Sequence, residues 1–249
     1  MKHLFWATLA ISIVGALPSG GAAQSEITVI GPGGVRAAVE KLIPGFEAKT
    51  GNKVKGTYGS GLGTHAQVVK GDVFDVVIVQ PPYQDAIASG NVVKNTETTL
   101  ASVPVGVAVK KGAPRPDISS AAAVKQMLLA AKSVSYPDPS GGAAAGVSFE
   151  RTLKQLGIYD EVKAKYKPGQ PALAAKGAVE VSLTFLSEID DSGVDIIGPL
   201  PKDISTPTGL VAFVHTKAKD PAAAKAFVQY LSGPEAAAVY KGLRMIPGR

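Results

Sequence analysis

ITVIGPGGVRAAVEKLIPGFEAKTGNKVKGTYG, running from Ile27 to Gly59, is the stretch on which the fold turns. Ile27-Thr28-Val29-Ile30 predicts a buried strand, closed by the turn signal Gly31-Pro32-Gly33-Gly34. From about Val35 to Lys49 the residues Val35, Val39, Leu42, Ile43 and Phe46 form one apolar stripe at helical spacing, and Thr50-Gly51-Asn52 ends that helix. Lys53 to Tyr58 is a second strand. Gly59 to Gly63 is a turn, Thr64 to Lys70 a short helix, and Val76-Val77-Ile78-Val79 a third strand with no polar interruption. A strand without alternation belongs to a sheet covered on both faces. Strand, helix, strand, helix, strand is the order of an α/β domain with a mostly parallel sheet.

The same order resumes downstream. Val103 to Lys110 (VPVGVAVK) predicts one long strand and Ala121 to Ala131 a helix, followed by a strand at Ser133-Val134-Ser135. The loop Pro137 to Gly142 leads into a helix from about Ala145 to Leu156, ended by Gly157. Val179–Leu183 and Val194–Ile197 are strands, Pro199–Pro207 a linker, and Gly209–His215 a strand. Two helices, Pro221–Leu231 and Pro234–Tyr240, finish the chain, each with Pro at or near its first position. Two Rossmann-like α/β lobes account for this order, hinged about an interlobe cleft. Residues 24–106 and 210–249 would form lobe 1, and 107–209 lobe 2. Lobes of this kind close over ligands by hinge motion.

The N-terminus speaks to compartment. Met1-Lys2-His3 is a short basic start, Leu4 to Leu17 is apolar and uncharged, and small residues follow to Ala23. That is the layout of a cleavable secretory signal peptide over residues 1–23. A spanning helix needs about 20 apolar residues, and this run is shorter and ends in Pro and Gly. The mature chain is therefore expected in the periplasm, with no membrane insertion. The sequence has no cysteine, which removes disulfides, thiolate chemistry and thiolate metal sites. Beyond the signal only His65 and His215 remain, without metal-ligand spacing, so neither a metal nor a cofactor is expected. The formal charge is +6, but Lys and Arg are scattered and aromatic residues sparse, which argues against a nucleic-acid partner. The excess fits steering of a small anion.

Three loops leave a strand and open a helix: Gly33–Arg36, Ser60–Thr64 and Ser140–Gly146. Helix N-termini present unpaired N–H groups and the positive end of a dipole, and glycine lets backbone approach a ligand closely. In open α/β sheets ligands bind beyond the carboxyl ends of the strands. The ligand-binding candidates are thus Gly33, Gly34, Arg36, Ser60, Gly61, Thr64, Ser140, Ala145 and Gly146. Arg36 is placed to grip a carboxylate bidentately, and Ser60 and Thr64 to donate hydroxyls. His65 is the titrating candidate near neutral pH. His215, beyond the return strand, is expected at the surface. Gly31-x-Gly33 has Arg at position 36 where a dinucleotide fingerprint needs glycine, and Gly59-Ser60-Gly61 is not a nucleophile elbow.

Several segments together resemble one family. Phe46-Glu47-Ala48-Lys49-Thr50-Gly51-Asn52-Lys53-Val54 is similar to the helix-to-strand signature of bacterial solute-binding proteins. Tyr58-Gly59-Ser60-Gly61 with Lys70 to Val76, then Arg151 to Ile158 and Lys225 to Glu235, resemble the periplasmic molybdate-binding proteins. The resemblance implies a type II periplasmic-binding fold, an inner-membrane ABC permease as partner, and a cleft formed by strand-to-helix loops; with the small anionic ligand that the loops already suggest, a monomer is expected. The resemblance also implies a backbone donor at Ala145, before Gly146. Three hydroxyl donors of the molybdate pattern are replaced here: the first loop is Gly31-Pro32-Gly33-Gly34, and Gly61 and Phe185 stand at the other two places. A buried polar atom left unpaired costs about 1–3 kcal/mol, so the departures point from metal oxyanions toward carboxylates. The run Gly106 to Ser135 is similar to a carboxylate-binding subgroup that includes aconitate isomerases. Two functions therefore stay open: capture of a di- or tricarboxylate for transport, and a cofactor-free aconitate isomerase in which His65 would move the proton.

Overall fold

The computed structural model describes residues 25–189 and 192–248; the expected signal peptide lies outside them. The chain begins β1 (Glu26–Pro32), α1 (Gly33–Thr50), β2 (Lys53–Gly59), α2 (Gly61–Lys70), β3 (Val76–Val79), α3 (Gln84–Ala88) and β4 (Thr98–Val103). It continues through β5 (Val105–Lys110), α4 (Ala121–Ala130), β6 (Val134–Tyr136), α5 (Ala144–Leu156), α6 (Tyr159–Lys163), β7 (Tyr166–Pro168), α7 (Ala172–Ala175), β8 (Val181–Phe185) and β9 (Val194–Pro199). β10 (Thr208–Val214), α8 (Pro221–Leu231), α9 (Pro234–Gly242) and β11 (Ile246–Pro247) complete it. Local chemistry sets the helix ends. Gly51 leaves α1 in the left-handed region at φ 76° and returns its N–H to Glu47. Ser60 caps α2 by accepting the N–H of Gly63 at 3.2 Å. Gly61 to Gly63, expected in a turn, therefore form the first turn of α2.

Two sheets result. One has the order β11-β4-β10-β3-β1-β2 and the other β7-β6-β8-β5-β9. In the first, β1 runs parallel to β2 and β3, while β10 is antiparallel to β3 and β4. In the second, β6 is parallel to β7 and β8, and β5 antiparallel to β8 and β9. This is a mixed α/β fold of two lobes.

The expected single strand from Val103 to Lys110 is two strands. Pro104 divides it: β4 pairs with β10 in the first sheet, and β5 with β8 and β9 in the second. Proline has no N–H to give a ladder, so the one residue between two apolar runs becomes the crossing point. Its carbonyl accepts the N–H of Leu186 at 3.0 Å. The chain leaves the second sheet after Pro199 and rejoins the first at Thr208.

Packing in the first lobe joins α1 to α8 through Phe46 and Phe227, with ring centroids 4.8 Å apart. The second lobe is centred on Tyr136, stacked on Tyr166 at 4.1 Å and edge-on to Phe149 at 5.0 Å. A sealed polar knot supports the first sheet. Asp75 is 2% exposed and accepts the backbone N–H of Thr28 (2.7 Å), the Thr28 hydroxyl (2.7 Å) and the N–H of Lys219 (2.6 Å). His215 was expected at the surface and is 1% exposed. It ends a central strand, where its N–H bonds the Asp75 carbonyl and its residue bridges Val92. Its Nδ1 accepts from Lys217 N, and burial, with Lys217 nearby, lowers its pKa.

Candidate functional site

The carboxyl ends of β1, β2, β3, β6 and β8 face one another across the gap between the sheets. They enclose a cavity of about 230 Å³. Three helix starts line it: Pro32-Gly33-Gly34 at α1, Ser60-Gly61 at α2, and Ala143-Ala144-Ala145 at α5. Neither Pro32 nor Ala143 supplies a side-chain cap, so the first N–H groups of α1 and α5 have no side-chain acceptor at the N-cap. Ser60 accepts from Gly63 and keeps its own hydroxyl hydrogen to donate.

The lobes already touch around this space. Leu62 N–H donates to the Gly142 carbonyl at 3.2 Å, and the Ser187 hydroxyl donates to the Gly34 carbonyl at 2.8 Å. Glycine is required at the seam: a Cβ on Gly61 would run into the Gln80 side chain and stand 2.8 Å from Ala144 Cβ.

The remaining wall comes from Gln80, Pro137, Gln170, Phe185 and Glu188. Gln80 Nε2 is buried and has no hydrogen-bond partner among the described residues. It is a donor held ready in a cavity. Glu188 is the one ionisable side chain in the lining. Its Oε2 accepts the Thr184 hydroxyl at 2.8 Å, while Oε1 lies 3.1 Å from where a Cβ on Gly33 would sit. Burial raises the Glu188 pKa, partly opposed by the Thr184 hydrogen bond. The lining holds no Lys, Arg or His, so positive potential comes from helix ends and amide donors.

Gly33, Gly34, Ser60, Gly61 and Ala145 therefore meet at one cavity. The other candidates are elsewhere. Arg36 lies outside the lining, 62% exposed, with Nε on Glu40 at 2.8 Å and its guanidinium 5.9 Å from the Tyr58 ring. One turn of separation on a helix favours that local pair over a reach into the cleft. Thr64 turns its hydroxyl back to the Ser60 and Gly61 carbonyls. His65 Nε2 is 2.9 Å from both oxygens of Asp85 on α3. The Ser140 hydroxyl donates to Asp138 at 2.8 Å, and Gly146 packs against the Pro137 carbonyl. Gln80 and Glu188 escaped the sequence reading, although each follows a strand whose carboxyl end is where ligands bind.

The comparisons with known proteins bear on this geometry. The family model described as bacterial extracellular solute-binding protein matches residues 27–242. The chain belongs to this family. This solute-binding protein is 32% identical over 239 residues to an aconitate isomerase from Pseudomonas sp, covering 90% of each chain. It is 27% identical over 244 residues to the molybdate-binding protein ModA of Azotobacter vinelandii, covering 94% of each. Its fold matches the solved periplasmic molybdate-binding protein of that organism with TM-score 0.74 at 19% identity, over 90% of this chain and 100% of that one. Among the described residues of the solute-binding protein, no helix is long and apolar enough to cross a membrane. No group of three or more His, Asp or Glu there is placed to hold a metal.

Proposed function

We propose that this protein captures a small anion, a di- or tricarboxylate in preference to a molybdate-type oxyanion, and delivers it in the periplasm to an ABC permease. One observation carries the proposal: three helix starts and an orphan amide donor converge on one cavity without a basic side chain. Such a cavity holds negative charge through backbone N–H groups and helix dipoles. At about 230 Å³ it lies below the ~300–1,000 Å³ usual for drug-sized ligands, which favours a compact solute. Phe185 supplies no hydroxyl at the wall, in keeping with a carboxylate rather than a metal oxyanion. In this account residues 1–23 are removed on export, and the protein is a monomer. Its lobes close about Pro104 and the return segment before Thr208.

A thermal-shift screen of cis-aconitate, trans-aconitate, citrate, phosphate, sulfate and molybdate tests the proposal. A carboxylate at about a thousand times its dissociation constant should add roughly 4 kcal/mol. Stabilisation by molybdate alone would overturn the ligand assignment.

A second function, isomerisation of aconitate, is favoured by one specific feature, a carboxyl inside the cavity. Moving a proton between carbons needs a positioned acid or base. Glu188 lines the cavity, whereas His65 is held by Asp85 outside the lining. Glu188 is therefore the group we assign to that step. Following the isomer ratio of cis-aconitate with purified protein decides it, since a pure binder leaves the ratio unchanged.

A further inference from the structure

We infer that Glu188 and the bound anion share one proton, so that the pocket takes up its ligand together with a proton and rejects anions that cannot share one. The inference rests on the anion-capture proposal and specifies the chemistry of the same site. Glu188 reaches the cavity from the 3-10 turn that follows β8, in the second lobe, and its Oε1 faces the opening of α1 in the first. It thus stands against the helix end where an anion would be held. Two negative charges in one closed cavity raise the pKa of the weaker acid until one proton remains between them. With that proton in place the carboxyl becomes a donor, and repulsion turns into a hydrogen bond.

The surroundings leave Glu188 without a cationic partner. The lining has no Lys, Arg or His. On α1 the nearest cation, Arg36, is engaged by Glu40. On α2, His65 is engaged by Asp85. β8 carries no charged residue, and the acid of α5, Glu150, pairs with Lys163. Asp190 and Asp191 follow in the chain and lie outside the described residues. The Thr184 hydroxyl opposes protonation by donating to Oε2, and so does the positive α1 start that Oε1 faces. Burial already moves the carboxyl toward its neutral form.

The proton balance is explicit. A fully ionised carboxylate binding to ionised Glu188 draws one proton from solvent, whereas hydrogen phosphate brings its own. Sulfate, a dianion at neutral pH whose conjugate acid is far stronger than a carboxylic acid, brings none and accepts a proton poorly, so it meets the site at a disadvantage.

Calorimetric titration of the mature protein with cis-aconitate, near pH 8 in buffers of different ionisation enthalpy, tests this. Uptake approaching one proton per ligand is expected, with affinity falling about tenfold per pH unit above the carboxyl's titration. Glu188→Gln should bind cis-aconitate with no uptake and a flat pH profile, and should close the gap between sulfate and cis-aconitate. Thr184→Val retains the carboxyl and should move the pH profile to higher pH, which a merely structural role for Glu188 would not produce. Binding by the native protein without proton uptake, or uptake that survives in Glu188→Gln, overturns the inference while leaving anion capture standing. Failure of every anion in the screen to bind overturns both.

Discussion

Among the described residues, the carboxyl groups of Asp75 and Glu188 are both drawn back from water, and their surroundings are opposite. Asp75 lies at the amino end of β3 with three donors already on it: Thr28 N–H, the Thr28 hydroxyl and Lys219 N–H. Glu188 stands beyond the carboxyl end of β8, with one donor on Oε2 and an open cavity before Oε1. Both follow the rule that a buried carboxylate needs hydrogen bonds. The first has them from the fold, and the second has been left short of them. A fully satisfied acid is a structural tie between β1, β3 and the approach to α8. An unsatisfied one in a cavity is a place for another molecule.

The largest test breaks the structural side of that contrast. Asp75→Ala removes three acceptor contacts and strands two backbone N–H groups, so about 4 kcal/mol of stability should be lost. The measurement is the midpoint of chemical denaturation at unchanged m-value. Glu188→Gln should cost far less, and should stabilise the protein once pH rises above the raised folded pKa of the native carboxyl. A loss at Glu188 equal to that at Asp75 would mean the two acids are alike.

Next in size is a steric test of the cavity. Gly61→Val places methyl groups where Gln80 and Ala144 already stand. Overpacking of this kind costs about 1–3 kcal/mol, equivalent to roughly a ten- to hundredfold loss of anion affinity if lobe closure bears it. Calorimetric affinity for cis-aconitate reads the binding loss, and the unliganded melting temperature reads any cost to the fold. An unchanged affinity would place the ligand away from the α2 start.

The pH dependence of stability sharpens the comparison through His215. Its folded pKa is lowered by burial and by Lys217. It therefore contributes stability that is present above its unfolded value, about 6.5. That stability is lost as pH falls toward the folded value. Glu188 has the opposite sign. Its raised pKa contributes stability that is present below the unfolded carboxylate value and lost as pH rises through the folded one. Melting curves should therefore show a loss on falling pH that disappears in His215→Asn, and a loss on rising pH, beginning above the unfolded carboxylate value, that disappears in Glu188→Gln.

Much of this architecture was legible because the signals are local. Asp220-Pro221 fixes the start of α8, since Asp220 caps Ala223 N–H at 2.9 Å. The apolar run of β3 declares a doubly covered strand, and glycines after β1 and β2 mark two of the three helix starts. Other parts have no local signal. Val103 to Lys110 is apolar on both sides of Pro104, so the change of sheet is invisible until partners are known. β4 opens with Thr98-Thr99 and takes its place only by lying between β10 and β11. Gln80 and Glu188 look like any polar residues after a strand, because what they face is assembled from distant segments. Arg36 and His65 were plausible by spacing, but Glu40 and Asp85 lie within reach and hold them first.

That competition yields the smallest expected effects. An exposed pair four residues apart on a helix is worth about 0.3–0.5 kcal/mol. Arg36→Ala should therefore lower stability by about that much, and leave the affinity for cis-aconitate unchanged. His65→Ala frees an exposed Asp85 and should behave similarly, in binding and in any isomerase activity. The two substitutions matter because both residues carry chemistry suited to a carboxylate while standing outside the cavity. If either one abolished capture, the lobes would have to close further than the contacts at Leu62 and Ser187 allow, bringing α1 or α2 side chains over the opening. Unchanged affinity in both would leave helix ends, Gln80 and a protonated Glu188 as sufficient for holding the anion.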